Sequence, residues 1–314
     1  MRLAILDDYL DSARHVADWS VLPSTVSITT FTQFISPADL ARELEPFDIL
    51  VVMRERTRLD RNLIQSLPNL KLVVTTGLRN ASIDLLACKE SGIPVLGTDG
   101  LPAITVDIAW LLILALVKRF TQNQINPAAP SWQHALPGGL YGKTLGIVGL
   151  GKIGSRMAAI GQAFGMNVIA WSQNLQPEQA SAQGVQAVSK QQLFSQSDIV
   201  TLHLVLSDRT RHCVAADELA LMHPGSYLVN TSRAGLVDEQ ALIHALVAGR
   251  IAGAGLDVFT HEPLPLDAAI LQAPNLVLTP HLGYVTRDNY AVFYGQAIEN
   301  VQAWLRGETP RALV

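Results

Sequence analysis

An α/β architecture of two doubly wound parallel-sheet domains is predicted by three features. These are the length of the chain, the alternation of short β-rich runs with helical stretches, and a glycine-rich turn set between a strand and a helix. The 314 residues are about twice a typical domain of ~150 residues. Hydrophobic residues make up 49% and charged residues 16%, enough apolar material for two cores and too much for a disordered chain. The formal net charge of −4 has the wrong sign for a nucleic-acid binder.

In chain order, residues 3–6, 26–31, 49–53, 70–75 and 95–96 read as strands. Between them, Ser36-Pro37 reads as an N-cap and first turn, and Ser82 opens a helix that Gly92 ends. Residues 103–120 form a long apolar helix. Residues 121–141 are proline- and glycine-rich and read as a connector. The α/β rhythm then restarts, with strands at 145–148, 168–171, 199–204, 226–230, 255–258 and 276–279 and helices at 152–164 and 288–305. The last helix lies past the final strand of the second sheet and can return to the first domain, so the expected division is one domain of residues 1–100 plus 283–314 with a second, of residues 101–282, inserted into it.

The two cysteines, Cys88 and Cys213, form no CxxC pair, so no metal or redox motif is expected. The start of the chain carries Asp7 and Asp8 where an export signal needs apolar residues. The longest apolar run, residues 108–117, is about half of the ~20 residues that span a bilayer. A cytoplasmic protein without a membrane partner is expected.

Residues 149–154 read GLGKIG, directly after an apolar strand and before a helix. In that context Gly149 permits the tight turn, Gly151 lets backbone approach a pyrophosphate, and Gly154 allows close helix-to-strand packing. Lys152 and Ile153 then open a helix whose amides face the anion. At the end of the next strand, where an Asp or Glu grips the ribose of NAD, the chain has Ser172. No carboxylate there repels a 2′-phosphate and no cation attracts one, so the cofactor is NAD or NADP, with NAD favoured.

Three later segments each follow an apolar strand and carry Arg233, Glu262 and His281. In an open parallel sheet, ligands bind beyond the carboxyl ends of the strands, which lets these residues converge. Their types suit reduction of a 2-oxo acid: Arg233 offers a planar fork to a carboxylate, and His281 is the natural proton donor. Glu262, if within reach, favours the protonated ring. Arg54, after the strand at 49–53, is a further candidate for substrate contact.

The stretches GKTLGIVGLGKIG (142–154), HLVLSDRT (203–210), NTSRAGLVDEQAL (230–242), GLDVFTHEPLP (255–265) and NLVLTPHLGYVT (275–286) resemble, in this order, the D-isomer-specific 2-hydroxyacid dehydrogenase family. The resemblance covers essentially the whole chain. It implies a catalytic set of Arg233, Glu262 and His281, with Asp257 near the nicotinamide carboxamide and Thr231 beside the ring. It also implies cofactor contacts at His203, Val205, Thr210 and Gly283, and a substrate carboxylate held by the Gly77-Leu78 backbone. Asp107 and Trp110 match the start of an interdomain helix, which with the connector builds a homodimer in the family.

The chain departs from the family pattern at Ser172, at Val205 in place of a common proline, and at Tyr284 in place of the second glycine of HxGG. No regulatory extension is expected after the last helix, unlike the serine-regulated phosphoglycerate dehydrogenases. The expected activity is hydride transfer between NAD(P)H and a small 2-oxo acid such as glyoxylate or hydroxypyruvate. The alternative is an NAD(H)-sensing, corepressor-like binding protein on the same fold, with phosphite or formate oxidation a minor possibility. An added tail or partner-binding insertion would distinguish the sensor.

Overall fold

The computed structural model describes residues 1–101, 104–125 and 132–314. The chain divides into two compact units, Met1–Leu101 with Val285–Val314, and Pro102–Tyr284.

In the first unit, β1 (Arg2–Ile5), β2 (Ser27–Thr30), β3 (Ile49–Val52), β4 (Leu72–Thr75) and β5 (Val95–Gly97) form a parallel sheet in the order β2-β1-β3-β4-β5. β3 and β4 are buried along their whole length, as expected for central strands covered on both faces. Leu44, Leu50, Val52, Leu59, Val73 and Val95 lie at the heart of the core. The helix Arg287–Leu305 belongs to this unit and is tied to β5 by Asn300, which is fully buried. Asn300 Nδ2 donates to Gly97 O at 2.7 Å, and its Oδ1 accepts from Arg311 Nη1 at 2.9 Å. The segment after that helix pairs along β5 through Gly97 N to Arg311 O and Leu313 N to Val95 O, which covers an edge strand.

In the second unit, β6 (Thr144–Val148), β7 (Asn167–Trp171), β8 (Gln186–Ala187), β9 (Ile199–Leu202), β10 (Tyr227–Asn230), β11 (Gly253–Leu256) and β12 (Leu276–Leu278) pair in the order β12-β11-β10-β9-β6-β7-β8. Their ladders are parallel. Successive residues feed opposite faces: Ile147, Ile199 and Val229 join the cluster under the helix Thr105–Val117, while Val148, Val200 and Leu228 join the cluster containing Phe194 and Leu242. The strand order reverses between β6 and β9, so the loops after these two strands flank a crevice of the type that binds ligands in open α/β sheets.

Several expected boundaries shift. The helix expected from Ser82 spans Leu85–Glu90 and is capped by Asp84, whose carboxylate accepts from Ala87 N at 2.8 Å. Asp84 rather than Ser82 stands at the cap position, where its carboxylate also suits the positive helix end. Ser36 does not open a helix. It anchors a turn, with Asp39 N and Leu40 N both donating to Ser36 O, and the helix runs Leu40–Leu44. The helix expected over 103–120 spans Thr105–Val117 and stops because Arg119 adopts a φ of +49°; a separate short helix, Phe120–Asn123, follows. Residue 103 and residues 126–131 of the connector lie outside the described residues. The strand expected at 255–258 begins two residues earlier as β11, and the short β8 carries too little apolar signal to have been expected.

Replacing Asn300 by Leu removes the donor to the Gly97 carbonyl and the acceptor for Arg311. Its expected cost is about 1–3 kcal/mol of stability, read as a lower urea midpoint; an unchanged midpoint would show that the buried amide does not tie the helix to β5.

Candidate active site

The phosphate loop follows β6. Gly149 has a φ of +102°, and a Cβ there would stand 2.7 Å from the His203 carbonyl oxygen, so both conformation and space demand glycine. At Gly154 a Cβ would collide with the Gly149 carbonyl, which packs the helix Lys152–Ala163 tightly onto the turn. Gly151 is exposed, and a Cβ built on it meets nothing within 4 Å, so its backbone borders open space at the amino end of that helix. Lys152 is exposed and Ile153 partly buried in the first helical turn. This arrangement fits a dinucleotide pyrophosphate.

Across the strand-order reversal, His203 follows β9. Its Nε2 pairs with Thr201 Oγ1 at 2.9 Å, while Nδ1 is buried without a hydrogen-bond partner among the described residues. Burial drives its pKa from the ordinary 6.5 down to about 3, so the ring is neutral. Thr231, after β10, is also buried with its Oγ1 unpartnered. Orphaned polar atoms at the carboxyl ends of β9 and β10, the first next to the glycine turn, are what a polar cofactor would satisfy.

Val205 is 74% exposed. Thr210, expected to touch the cofactor, spends its hydroxyl inside the loop: it donates to Val205 O at 2.7 Å and accepts from Ser207 N at 2.8 Å. Ser172 opens a turn closed by Leu175 N to Ser172 O at 3.1 Å. The cation Lys190, over the neighbouring Trp171 ring at 5.6 Å, is held by Glu218 at 2.7 Å.

Asp257 follows β11 and is fully buried. Its Oδ1 accepts from Thr279 Oγ1 at 2.6 Å and Leu282 N at 2.7 Å, and its Oδ2 accepts from Gly283 N at 2.8 Å. Burial raises its pKa, opposed by these bonds. These bonds fasten the 279–283 loop to Asp257. Gly283 O also accepts from Thr105 Oγ1 at 2.9 Å.

Within that loop His281 has a φ of +55°, and its Nδ1 lies 2.6 Å from Glu262 Oε2. The other oxygen, Glu262 Oε1, accepts from Phe259 N at 2.9 Å. An ionised carboxylate only accepts, so Nδ1 carries the proton of this bond and Nε2 is the nitrogen left for other chemistry. The Tyr284 ring meets the imidazole edge-on, with centroids 5.1 Å apart and planes at 73°.

Arg233 sits in a short loop after β10. Asn230 brackets it, with Nδ2 donating to Arg233 O at 2.9 Å and Oδ1 accepting from Ser232 N at 3.0 Å. The guanidinium donates to Ser232 O at 2.7 Å and is only partly buried.

In the first unit, Arg54 follows β3 with a φ of +51°. Its amide donates to Thr76 Oγ1 at 2.9 Å, its carbonyl accepts from Asn80 Nδ2, and its guanidinium covers Gly77, where a side chain would collide with it. Gly77 has a φ of +98°. Its amide, expected to face substrate, turns inward to Thr98 Oγ1 at 2.9 Å, whereas Leu78 is exposed.

The sequence reading missed Thr279 and Thr98, whose partners Asp257 and Gly77 lie in other loops, and the role of Asn230 in bracketing Arg233. Among the described residues no cluster of three or more His, Cys, Asp or Glu could hold a metal, and no helix is long and apolar enough to cross a membrane.

A glycine cradle at a strand-order reversal, with a carboxylate-paired histidine at the edge of the same sheet, is the arrangement of a nucleotide-binding α/β protein. The sequence model described as "D-isomer specific 2-hydroxyacid dehydrogenase, NAD binding domain" matches residues 110–283. A glyoxylate reductase of Thermococcus litoralis is 35% identical over 285 residues, covering 88% of this chain and 86% of that protein. A D-3-phosphoglycerate dehydrogenase of Methanocaldococcus jannaschii is 34% identical over 89% of this chain, which spans only 54% of that protein. The crystal structure of a phosphoglycerate oxidoreductase from Vibrio cholerae superposes with a TM-score of 0.92 at 37% identity, covering 98% of this chain and 99% of that one. The chain belongs to the D-isomer specific 2-hydroxyacid dehydrogenase family, and it is an oxidoreductase with an NAD-binding domain.

The neutral His203 has a consequence for acid stability. The unfolded ring protonates near 6.5 and the folded ring only near 3, so between these values the unfolded chain binds the extra proton. Stability therefore falls as pH drops through that window, by about 2 kcal/mol between pH 7 and pH 5. His203→Gln should flatten this dependence in urea titrations at the two pH values; an unaltered dependence would remove His203 as its source.

Proposed function

We propose that this chain reduces small 2-oxo acids, such as glyoxylate or hydroxypyruvate, to D-2-hydroxy acids. In this reading His281 gives the proton, Glu262 supports it, and Arg233 holds the substrate carboxylate. The observation that carries the proposal is the 2.6 Å contact between His281 Nδ1 and Glu262 Oε2. It sets the tautomer and orientation of the ring and leaves Nε2 for the reacting oxygen. His281 Nε2 then delivers its proton to the carbonyl oxygen as charge develops there, and in the reverse direction it takes the proton from the hydroxyl. Arg233, set by Asn230, offers a planar fork to the carboxylate. A bound reduced nicotinamide supplies the hydride. Gly149, Gly151 and Gly154 with the first turn at Lys152 and Ile153 would hold the pyrophosphate, and Thr231 and His203 would face the rest of the nucleotide.

The first unit would serve the substrate through Arg54 and the exposed end of its Gly77-Leu78 loop, and the second unit the dinucleotide. Ser172 neither repels nor attracts a 2′-phosphate and so admits NADH and NADPH alike, and the match to an NAD-binding domain favours NADH. Following both absorbances while glyoxylate, hydroxypyruvate, phosphohydroxypyruvate, pyruvate and 2-oxoglutarate are offered tests the activity. His281→Gln should lower kcat by a factor of about 100 or more with cofactor affinity kept, while Arg233→Ala and Arg54→Ala should raise KM. Full turnover by the His281 variant would remove it as proton donor.

We also propose a homodimer built on the second unit, because large apolar side chains at Leu111, Phe120, Ile125, Trp132 and Leu136 stand exposed together in sequence, the last two 79% and 90%. Sedimentation should give twice the chain mass, and Leu136→Asp with Trp132→Asp should shift it to one chain. A monomeric unaltered protein would refute the assembly.

A further inference from the structure

We infer that Tyr284 is a positioning residue for His281, its ring fixing the swing of the imidazole that the Glu262 hydrogen bond leaves open. This inference rests on the reading of His281 as proton donor and adds a residue that reading does not need.

A single hydrogen bond constrains a ring at one atom. His281 Nδ1 is held 2.6 Å from Glu262 Oε2, and Glu262 is itself anchored by Phe259 N at 2.9 Å. The imidazole can still rock about that axis and carry Nε2 away from its line of transfer. Tyr284 meets this motion directly, with ring centroids 5.1 Å apart and planes at 73°, the edge-to-face arrangement that aromatic pairs favour. The tyrosine ring is itself well fixed. Tyr284 is 9% exposed, and it follows Gly283, whose amide is given to Asp257 Oδ2 at 2.8 Å and whose carbonyl accepts from Thr105 Oγ1 at 2.9 Å. The backbone is therefore pinned at both peptide groups of Gly283, immediately before the residue that bears the ring. A glycine at 284 would remove this ring contact from the imidazole.

Proton transfer is sensitive to sub-ångström placement, so loosening the ring should slow the chemical step more than it weakens binding. The test compares Tyr284→Phe and Tyr284→Ala in the full chain, with active sites counted by NADH fluorescence. The expected result for Tyr284→Ala is a kcat about 10- to 100-fold lower, KM changed by less than about threefold, and a larger solvent isotope effect on kcat because proton transfer has become more limiting. Tyr284→Phe keeps the ring and should restore all three to near the starting values. A loss of folded protein would lower the count of NADH-binding sites and leave the isotope effect unchanged. The proposal is overturned if Tyr284→Ala keeps kcat and isotope effect per binding site, or if Tyr284→Phe is as impaired as Tyr284→Ala. His281→Gln separates the two readings: if that variant turns over normally, the proton-donor reading fails first. If it is inactive while Tyr284→Ala behaves as the unaltered protein, only the positioning role is lost.

Discussion

The candidate site depends on one buried charge. Asp257 has no solvent contact, and burying a carboxylate is costly unless its oxygens are satisfied. They are satisfied by the loop that follows β12: Thr279 Oγ1, Leu282 N and Gly283 N all donate to it. Loop and carboxylate need each other, because without the loop the charge is stranded and without the charge the two amides lose their acceptors. The left-handed backbone of His281, at a φ of +55°, is held inside this arrangement, a conformation that a non-glycine residue keeps only when its surroundings over-determine it. The imidazole is thereby presented to Glu262 from a loop with the rigidity of a packed element.

Sheet topology decides which loops meet. In the second unit the order reverses between β6 and β9, which sets Gly149 beside the His203 carbonyl and opens the glycine cradle there. In the first unit the reversal falls between β1 and β3, and both flanking loops hold left-handed non-glycine residues, Asp7 at +59° and Arg54 at +51°. Asp7 is buried with Thr57 Oγ1 at 2.6 Å, whereas the Arg54 side chain reaches over Gly77. The same topological feature thus yields an inward-facing anchor and a cation beside a glycine turn. Rigid strands allow this, since loops borne on a parallel sheet can carry strained backbone that an isolated loop would relax.

What could be read from residues alone follows from the range of the forces involved. The glycine motif, the apolar strands before it and the three polar segments at strand ends are local patterns; the first two give β6 and the helix Lys152–Ala163 directly, and the third marks Arg233, Glu262 and His281 as candidates. Competition between neighbouring polar groups was harder to read: Ser82 and Asp84 both offer a cap, and only the backbone path shows that Asp84 takes it. The bonds that tie Asp257 to Leu282 N and Gly77 N to Thr98 could not be read, because an acceptor that satisfies an amide from another loop has no sequence signature. Tyr284 stood out as a departure from the family pattern, but a departure does not say which ring it touches.

Arg233 and His281 are placed in physically different ways. Arg233 is set within four residues, by Asn230 bonding to Ser232 N and Arg233 O at the end of β10, with Ser232 Oγ donating to Leu202 O on the adjacent strand. Its position follows almost directly from the sheet. His281 is set by groups from several elements: Asp257 after β11, Thr105 in a helix, Glu262 in a separate loop and Tyr284 beyond it. A local arrangement tolerates change elsewhere, whereas a distributed one couples its members, so substitutions among these four should interact rather than add. The proposed anion-binding group thus stands on rigid local structure, and the proposed proton donor on a network whose members can each alter its aim without touching substrate.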